Sequence, residues 1–575
     1  MSTAYTAQIE KLPRHYLPAD FTLTTWQALE PWFAELKQRP LDSKADLEKW
    51  LRDLSELEAA ISEDACWRQI RMTCDTENED LEEAYRFFVM EIQPHMQPYA
   101  DALNKKLVDC PFTAELDTAD YETYLRSVRK SIELFREENI PLQAELGVLQ
   151  QQFGQITGRM TIEHDGKEYT LQQAAKFLQS KDRAEREAVY RKIQERRLQD
   201  REPLKELFAT LVAKRHQVAV NAGFENYRDY RFKELGRFDY TKHDCYQFHT
   251  AVSEHVLPLV TRIYEHKRAH LDVDTLRPWD LEAEPAGVEP LRPFNTGKEL
   301  LEKSIACLEK LNPFFADCFR TMDRMGHFDL ESRKGKAPGG YNCPLAESGA
   351  PFIFMNAAGQ MDDVTTMVHE GGHAVHSFLA HPLPLTAFKE YPMEVAEVAS
   401  MAMELFTMDH WDAFFDNEEE LRRAKAHQLE RAITIFPWIA TIDKFQHWVY
   451  EHPQHTAEER SAQWMAILQE FHTPALDVSG LEGYRSNSWQ RQLHLYEVPF
   501  YYIEYGIAQL GAIALWKQYK QHPQQALNNY MQALSLGGTR TLPELYAAAG
   551  IEFNLSPEYI RSLAVFVKEE LDQLL

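Results

Sequence analysis

A chain of 575 residues with 44% hydrophobic and 26% charged residues can bury a large core and has room for about two to four domains. A formal net charge of −27 makes it a poor candidate for binding nucleic acid through phosphates, and reads instead as a soluble acidic surface. Seven irregularly spaced cysteines without a C-x-x-C pair, no signal-peptide pattern in the first ten residues, and no apolar run near the roughly 18 residues of a membrane span together lead us to expect a cytoplasmic protein with reduced thiols and no membrane partner.

Residues 1–40, rich in aromatics and proline, predict one helix near 23–37. Over 43–93 the apolar residues recur at helical spacing, with Leu47, Leu51, Leu54, Leu57 and Ile61 on one face and Leu81, Tyr85, Phe88 and Ile92 on another. Long helices follow through Lys106 and over 121–138. At 158–171 alternating residues flank Asp165-Gly166, which predicts a small β-hairpin. Helix returns over 172–178 and 183–220. In the second stretch Arg183, Arg186, Arg191, Arg196, Arg197 and Arg201 interleave with acids, so it reads as a solvated, salt-bridged face rather than a binding patch. A helix is expected over 240–271, a surface linker over the acidic, proline-containing 272–293, and helix again over 296–325.

The texture then changes. Residues 335–343, Gly-Lys-Ala-Pro-Gly-Gly-Tyr-Asn-Cys, form a glycine-rich loop that matches neither a Walker nor a dinucleotide fingerprint. Residues 351–356 read as a short strand. It is either the edge of a sheet beside the following helix, able to hold an extended peptide by strand addition, or an ordinary buried strand.

Next comes the stretch on which the reading turns. Val364, Met367, Val368, Gly371, Ala374, Val375, Phe378 and Leu379 recur at helical spacing, Asp362 and Asp363 stand at the expected N-cap and first turn, and Pro382 and Pro384 end the pattern. The helix carries His369-Glu370-Gly371-Gly372-His373, a His-Glu-x-x-His motif. His369 and His373 lie about 6 Å apart along the axis on one face, and can bind one Zn²⁺ at about 2.0–2.1 Å each. Glu370 lies about 100° round from His369, where it can reach a metal-bound water. Two glycines inside a helix cost about 1 kcal/mol each relative to alanine, so a strand or a substrate is expected to come close to that backbone. A third ligand is needed. The pattern His-x-x-Gly-x-x-His fails, because His376 and Leu379 stand where Gly and His would be required. A later helix, 393–406, carries Glu394, Glu397 and Glu404 on one largely apolar face, where carboxylates are expensive unless paired or metal-bound. Glu397 is the expected ligand, with Glu394 as fallback. Glu404 is placed to orient a ligand histidine, and His376 is expected to pack or to face substrate.

Gly-Lys-Ala-Pro-Gly-Gly-Tyr at 335–341, Pro-Phe-Ile-Phe-Met-Asn at 351–356, His-Glu-Gly-Gly-His at 369–373, Glu-Val-Ala-Ser-x-x-x-Glu at 397–404 and Leu-Arg-Pro-Trp-Asp at 276–280 together resemble the oligoendopeptidase F branch of the thimet oligopeptidase family. The resemblance maps the third zinc ligand onto Glu397. It implies a mainly α fold of two helical lobes around a deep substrate channel, with a small β-sheet next to the zinc-binding helix, and cleavage of short peptides. We expect an N-terminal helical lobe over 1–200, including the hairpin, and a catalytic region over 201–575. The segment 489–505 concentrates tyrosines and an imidazole around Pro499, and buried tyrosines need hydroxyl partners. In the resembled family a histidine and tyrosines here stabilise the oxyanion. That role carries over to His494 and to Tyr502 and Tyr505, with Tyr501 as a further candidate. The expected chemistry is peptide hydrolysis by a water activated on one Zn²⁺ per chain, with Glu370 as base. Gly339, Gly340, Tyr341, Phe354, Asn356 and Tyr501 are expected along the substrate. The alternatives are a zinc exopeptidase of aminopeptidase or carboxypeptidase type, or a non-enzymatic helical peptide-binding scaffold.

Overall fold

Amphipathic helices build most of the chain. Leu47, Leu51, Leu54, Leu57 and Ile61 are all buried along one face of the helix Lys44–Cys74, whose N-cap Ser43 accepts from the Asp46 amide. The computed structural model describes residues 5–7, 9, 11, 13–337 and 339–575, so Pro338 of the glycine-rich loop lies outside the described residues. No helix among them is long and apolar enough to cross a membrane. The seven cysteines are free thiols.

The chain divides into two units, each assembled from three stretches: Met1–Glu133, Leu291–Lys425 and Ala508–Phe553 in the first, and Leu134–Pro290, Ala426–Ile507 and Asn554–Leu575 in the second. This partition differs from the division at residue 200 expected from sequence, because contacts join stretches far apart in the chain.

In the first unit, Leu47, Trp50, Phe33, Leu103 and Leu107 share an N-terminal core with Leu385 and Phe388. The unit also holds a three-stranded sheet of β3 (Phe328–Glu331), β4 (Tyr341–Cys343) and β5 (Phe352–Ala357) in the order β3-β5-β4. β5 runs parallel to β3 and antiparallel to β4. Of the two readings of residues 351–356, the buried strand holds, because β5 is the central strand. Both of its backbone edges are taken, and only an outer strand could accept a peptide. Residue order could not show this, since β3 and β5 pair across the intervening loop.

In the second unit, β1 (Thr161–His164) and β2 (Lys167–Thr170) form the expected hairpin, with Asp165 and Gly166 at φ 50° and 70°, the left-handed pair of a tight two-residue turn. The predicted helix over 183–220 is two, Arg183–Gln199 and Arg201–Asn221, broken at Asp200. The segment over 272–293 is less exposed than a linker should be: Trp279 and Asp280 are buried. The carboxylate of Asp280 accepts from Arg183 and Arg186, each at 2.8 Å, and from the Arg277 amide at 3.0 Å. Part of the supposed solvated arginine face thus points inward to one acid.

Candidate metal centre

Two helices of the first unit carry the centre, Met361–Ala380 with the His-Glu motif and Met393–Thr407 with the glutamates. The first begins two residues earlier than an N-cap at Asp362 suggested. Gln360 is its N-cap, and the Asp363 carboxylate accepts from the amides of Ala358 and Gln360, each at 2.8 Å. The glycine pair meets neighbouring helices rather than a strand. A Cβ on Gly372 would lie 2.5 Å from the Ala399 carbonyl oxygen and 2.5 Å from the Ser400 Cα, and one on Gly371 would lie 2.8 Å from the Phe319 ring. Gly372 lets the two helices touch backbone to backbone, and Gly371 leaves room for Phe319 of the helix Pro313–Met325.

That contact aligns the ligand candidates. Donor atoms of His369, His373 and Glu397 all lie within 4.8 Å of one another. His369 Nε2 is 3.5 Å from Glu397 Oε2, close to the edge of about 3.3 Å between two ligands of a tetrahedral ion with 2.0 Å bonds. The other ring nitrogen, Nδ1, donates to Glu404 Oε1 at 2.7 Å, which leaves the Nε2 lone pair directed at the centre. Ser400 Oγ donates to the Glu397 backbone carbonyl at 3.0 Å and reaches its Oε2 at 3.4 Å. Glu394 is buried but contributes no donor to this group. His376 is fully buried and stacks on Tyr391 with ring centroids 3.5 Å apart, so it packs and does not face substrate.

The electrostatics call for a cation. Burial would lower the His369 imidazole, but Glu404, Glu397 and Glu370 outweigh it and lift the group to about 9. Burial, with His369 and His376 adding to it, pushes His373 far down, so this ring is neutral as a metal ligand must be. Burial also raises the Glu370 carboxyl to about 7, within the range of a working general base. Asn342, which the sequence reading passed over, donates through Nδ2 to the Glu370 carbonyl oxygen at 3.2 Å and ties β4 to the motif helix.

The expected substrate-contact residues separate. Phe354 is fully buried, stacked on Tyr341 at 4.8 Å with planes 7° apart and capped by the Lys336 ammonium, so it has no face for a substrate. Asn356 donates to the carbonyls of Ala337 and Gly339 at 2.8 and 2.9 Å, which braces the glycine-rich loop. Gly339 and Gly340 lie in that loop, and Tyr341 is partly exposed on β4, its hydroxyl 2.6 Å from Thr73 Oγ1.

In the second unit, His494 lies in the short helix Leu493–Glu497, while Tyr502 and Tyr505 open the helix Tyr502–Gln521. Trp438 Nε1 donates to Gln492 Oε1 at 2.9 Å, which turns the amide so that its Nε2 donates to His494 Nδ1 at 2.6 Å. Burial pushes His494 down to about 4, so the ring is neutral and its proton sits on Nε2, 3.5 Å from the Tyr505 hydroxyl. Tyr502 is nearly buried and its ring lies edge-on to His494, whereas Tyr501 and Tyr505 are partly exposed.

The profile described as Peptidase family M3 matches residues 176–565, and that of the Peptidase M3 N-terminal domain matches residues 18–135. Oligopeptidase PepF of Bacillus subtilis is 25% identical over 333 residues, 55% of this chain and 47% of the relative. An oligoendopeptidase F homolog of Borreliella burgdorferi is 22% identical over 416 residues, 69% of this chain and 66% of the relative. The matched part of the chain thus spans between about half and two thirds of these relatives. Among solved structures, PZ peptidase A with an inhibitor superposes with a TM-score of 0.89 at 26% identity, covering 96% of this chain and 99% of that one. Oligoendopeptidase-F from Enterococcus faecium shares the fold, with a TM-score of 0.64 at 18% identity over 96% of this chain and 97% of that one.

Proposed function

This chain belongs to peptidase family M3, and from that premise we propose that it is a zinc-dependent oligoendopeptidase acting on short peptides. The observation that carries the reading is the convergence of His369, His373 and Glu397, with Glu404 behind His369 and the buried Glu370 beside them. This donor set fits zinc: two imidazoles and one carboxylate, leaving a position open for water. A zinc ion held there supplies Lewis acidity, lowering the pKa of water toward about 7 and polarising the scissile carbonyl.

The chain's own residues do the rest. Glu370 accepts the proton of the attacking water and returns it to the leaving amine. Glu404 holds His369 in the tautomer that presents Nε2, and Ser400 steadies Glu397. We assign the oxyanion donors to His494 and Tyr505, with Tyr502 the weaker candidate because it is nearly buried. This assignment is supported by the family resemblance and by the neutral, Nε2-protonated state that Gln492 imposes on His494. The outer edge of β4, rather than β5, is our candidate for aligning an extended peptide, because β5 is paired on both sides.

Cleavage of internally quenched peptides blocked at both ends, with and without a zinc chelator, tests the reading. Chelator-sensitive internal cleavage is expected, and activity only on peptides with a free terminus would overturn the endopeptidase assignment. Glu397→Ala is expected to lose zinc and Glu394→Ala to keep it. The reverse result would move the ligand by one turn.

A further inference from the structure

A second cluster of metal-binding side chains lies in the second unit. The helix Lys242–Ala251 carries Cys245 and His249 one turn apart, and the helix Phe436–Glu451 carries Asp443 and His447 one turn apart. All four are buried, Cys245 and Asp443 completely. Donor atoms of Cys245, Asp443 and His447 lie within 4.8 Å of one another.

The contacts inside the cluster are of two kinds. His249 Nε2 lies 2.8 Å from Asp443 Oδ2, a hydrogen bond. His447 Nε2 lies 3.3 Å from the same oxygen, yet neither nitrogen of His447 has a hydrogen-bond partner, and neither has Asp443 Oδ1. A fully buried imidazole and a fully buried carboxylate oxygen without partners are expensive. A separation of 3.3 Å without hydrogen-bond geometry matches the edge of about 3.3 Å between nitrogen and oxygen ligands of one tetrahedral ion. Burial alone would raise the Asp443 carboxyl, but the imidazoles of His447 and His249 outweigh it and hold it well below its usual range, so the acid is ionised. A thiolate at Cys245 together with the Asp443 carboxylate would neutralise a divalent cation.

We propose that Cys245, Asp443 and His447 form a second, structural metal site for a divalent cation of the zinc class, with His249 holding Asp443 from behind. One sulfur, one nitrogen and one carboxylate suit zinc rather than the harder magnesium or calcium. Asp443 Oδ1 is available to complete the coordination. Binding releases the Cys245 proton, since the thiolate is the ligand and burial otherwise keeps the thiol protonated. The absence of an exposed donor separates the site from a catalytic one. Its neighbours indicate what it would stabilise: the Phe500 ring lies 5.4 Å from His447, the Phe500 amide donates to Gln446, and Phe500 leads into the segment holding Tyr501, Tyr502 and Tyr505.

Metal content of the full chain, loaded with zinc and freed of excess by gel filtration, tests the proposal. Two zinc per chain are expected in the wild type, one in the His369→Ala/His373→Ala variant and one in Cys245→Ser. A single zinc that the double histidine variant removes would overturn the second site and leave the catalytic reading intact. A single zinc lost only in Cys245→Ser would uphold this site and count against the catalytic one. Cobalt loading of the wild-type chain provides a readout that does not depend on a variant folding. Thiolate-to-cobalt charge transfer is expected, because the His-His-Glu centre contains no sulfur, and its absence would overturn the proposal.

Discussion

The His369 centre and the Cys245 cluster place ligands in the same way, two of them one turn apart on one helix and a third on another, but they differ in what surrounds them. The side chain of His369 remains 22% exposed, and a buried carboxylate, Glu370, waits beside the centre without being a ligand. The Cys245 cluster is buried, with aromatic rings of Tyr246, Phe232 and Phe500 against His447. Openness and a spare base mark a site that turns over, whereas closure marks one that holds structure. The comparison also separates two kinds of damage: substitutions in the first should act on turnover or metal affinity, and substitutions in the second on stability.

The sharpest way to break this contrast is Glu370→Gln. It is expected to lower kcat by about 10²–10⁴-fold while zinc content and Tm stay near wild type. A lost metal or a large drop in Tm would make Glu370 a structural acid. Tyr505→Phe is expected to lower kcat by about 10²-fold with little change in KM, as for one oxyanion donor. A change confined to KM would move Tyr505 to substrate binding. Glu404→Ala should weaken zinc binding by about 10–100-fold, read by competition with a chelator, because it loosens His369 rather than removing a ligand. The smallest effect on turnover is expected for Asp443→Asn. There the folded protein should retain most of its kcat but lose about 1.5–3 kcal/mol of stability, since the buried His249 loses its hydrogen bond to a charged carboxylate. If Asp443→Asn instead abolished turnover at unchanged Tm, the distinction between the two sites would collapse.

Local chemistry was legible in the sequence wherever the partners were neighbours in the chain. The hairpin followed from Asp165-Gly166 and the motif helix from its apolar stripe. What required long-range contact was not legible. The central position of β5 depends on β3, and it buried Phe354, which the sequence had offered to a substrate. The break at Asp200 had a local signal in Pro203, which cannot bond back to the Gln199 carbonyl and sits in the first turn of the next helix, but the apolar periodicity ran straight through it. Asp280 lay in a stretch that looked like a linker because its partners, Arg183 and Arg186, are nearly a hundred residues upstream. The Cys245 cluster has a signal, two pairs at i and i+4, but each pair alone is common, and only the packing of two helices brings them together. Gln492 was invisible for a related reason: it acts through His494.

The glycine contact between the motif helix and the glutamate helix has a consequence for how the metal comes and goes. With Gly372 against the backbone of Ala399 and Ser400, the three ligand-bearing turns are held as one block by packing that involves no ion. Such a block keeps its shape when emptied. Chelated protein should therefore recover at the rate zinc arrives, without a refolding lag, and its circular dichroism should be the same before and after. The metal at this centre would then be an exchangeable part rather than a keystone.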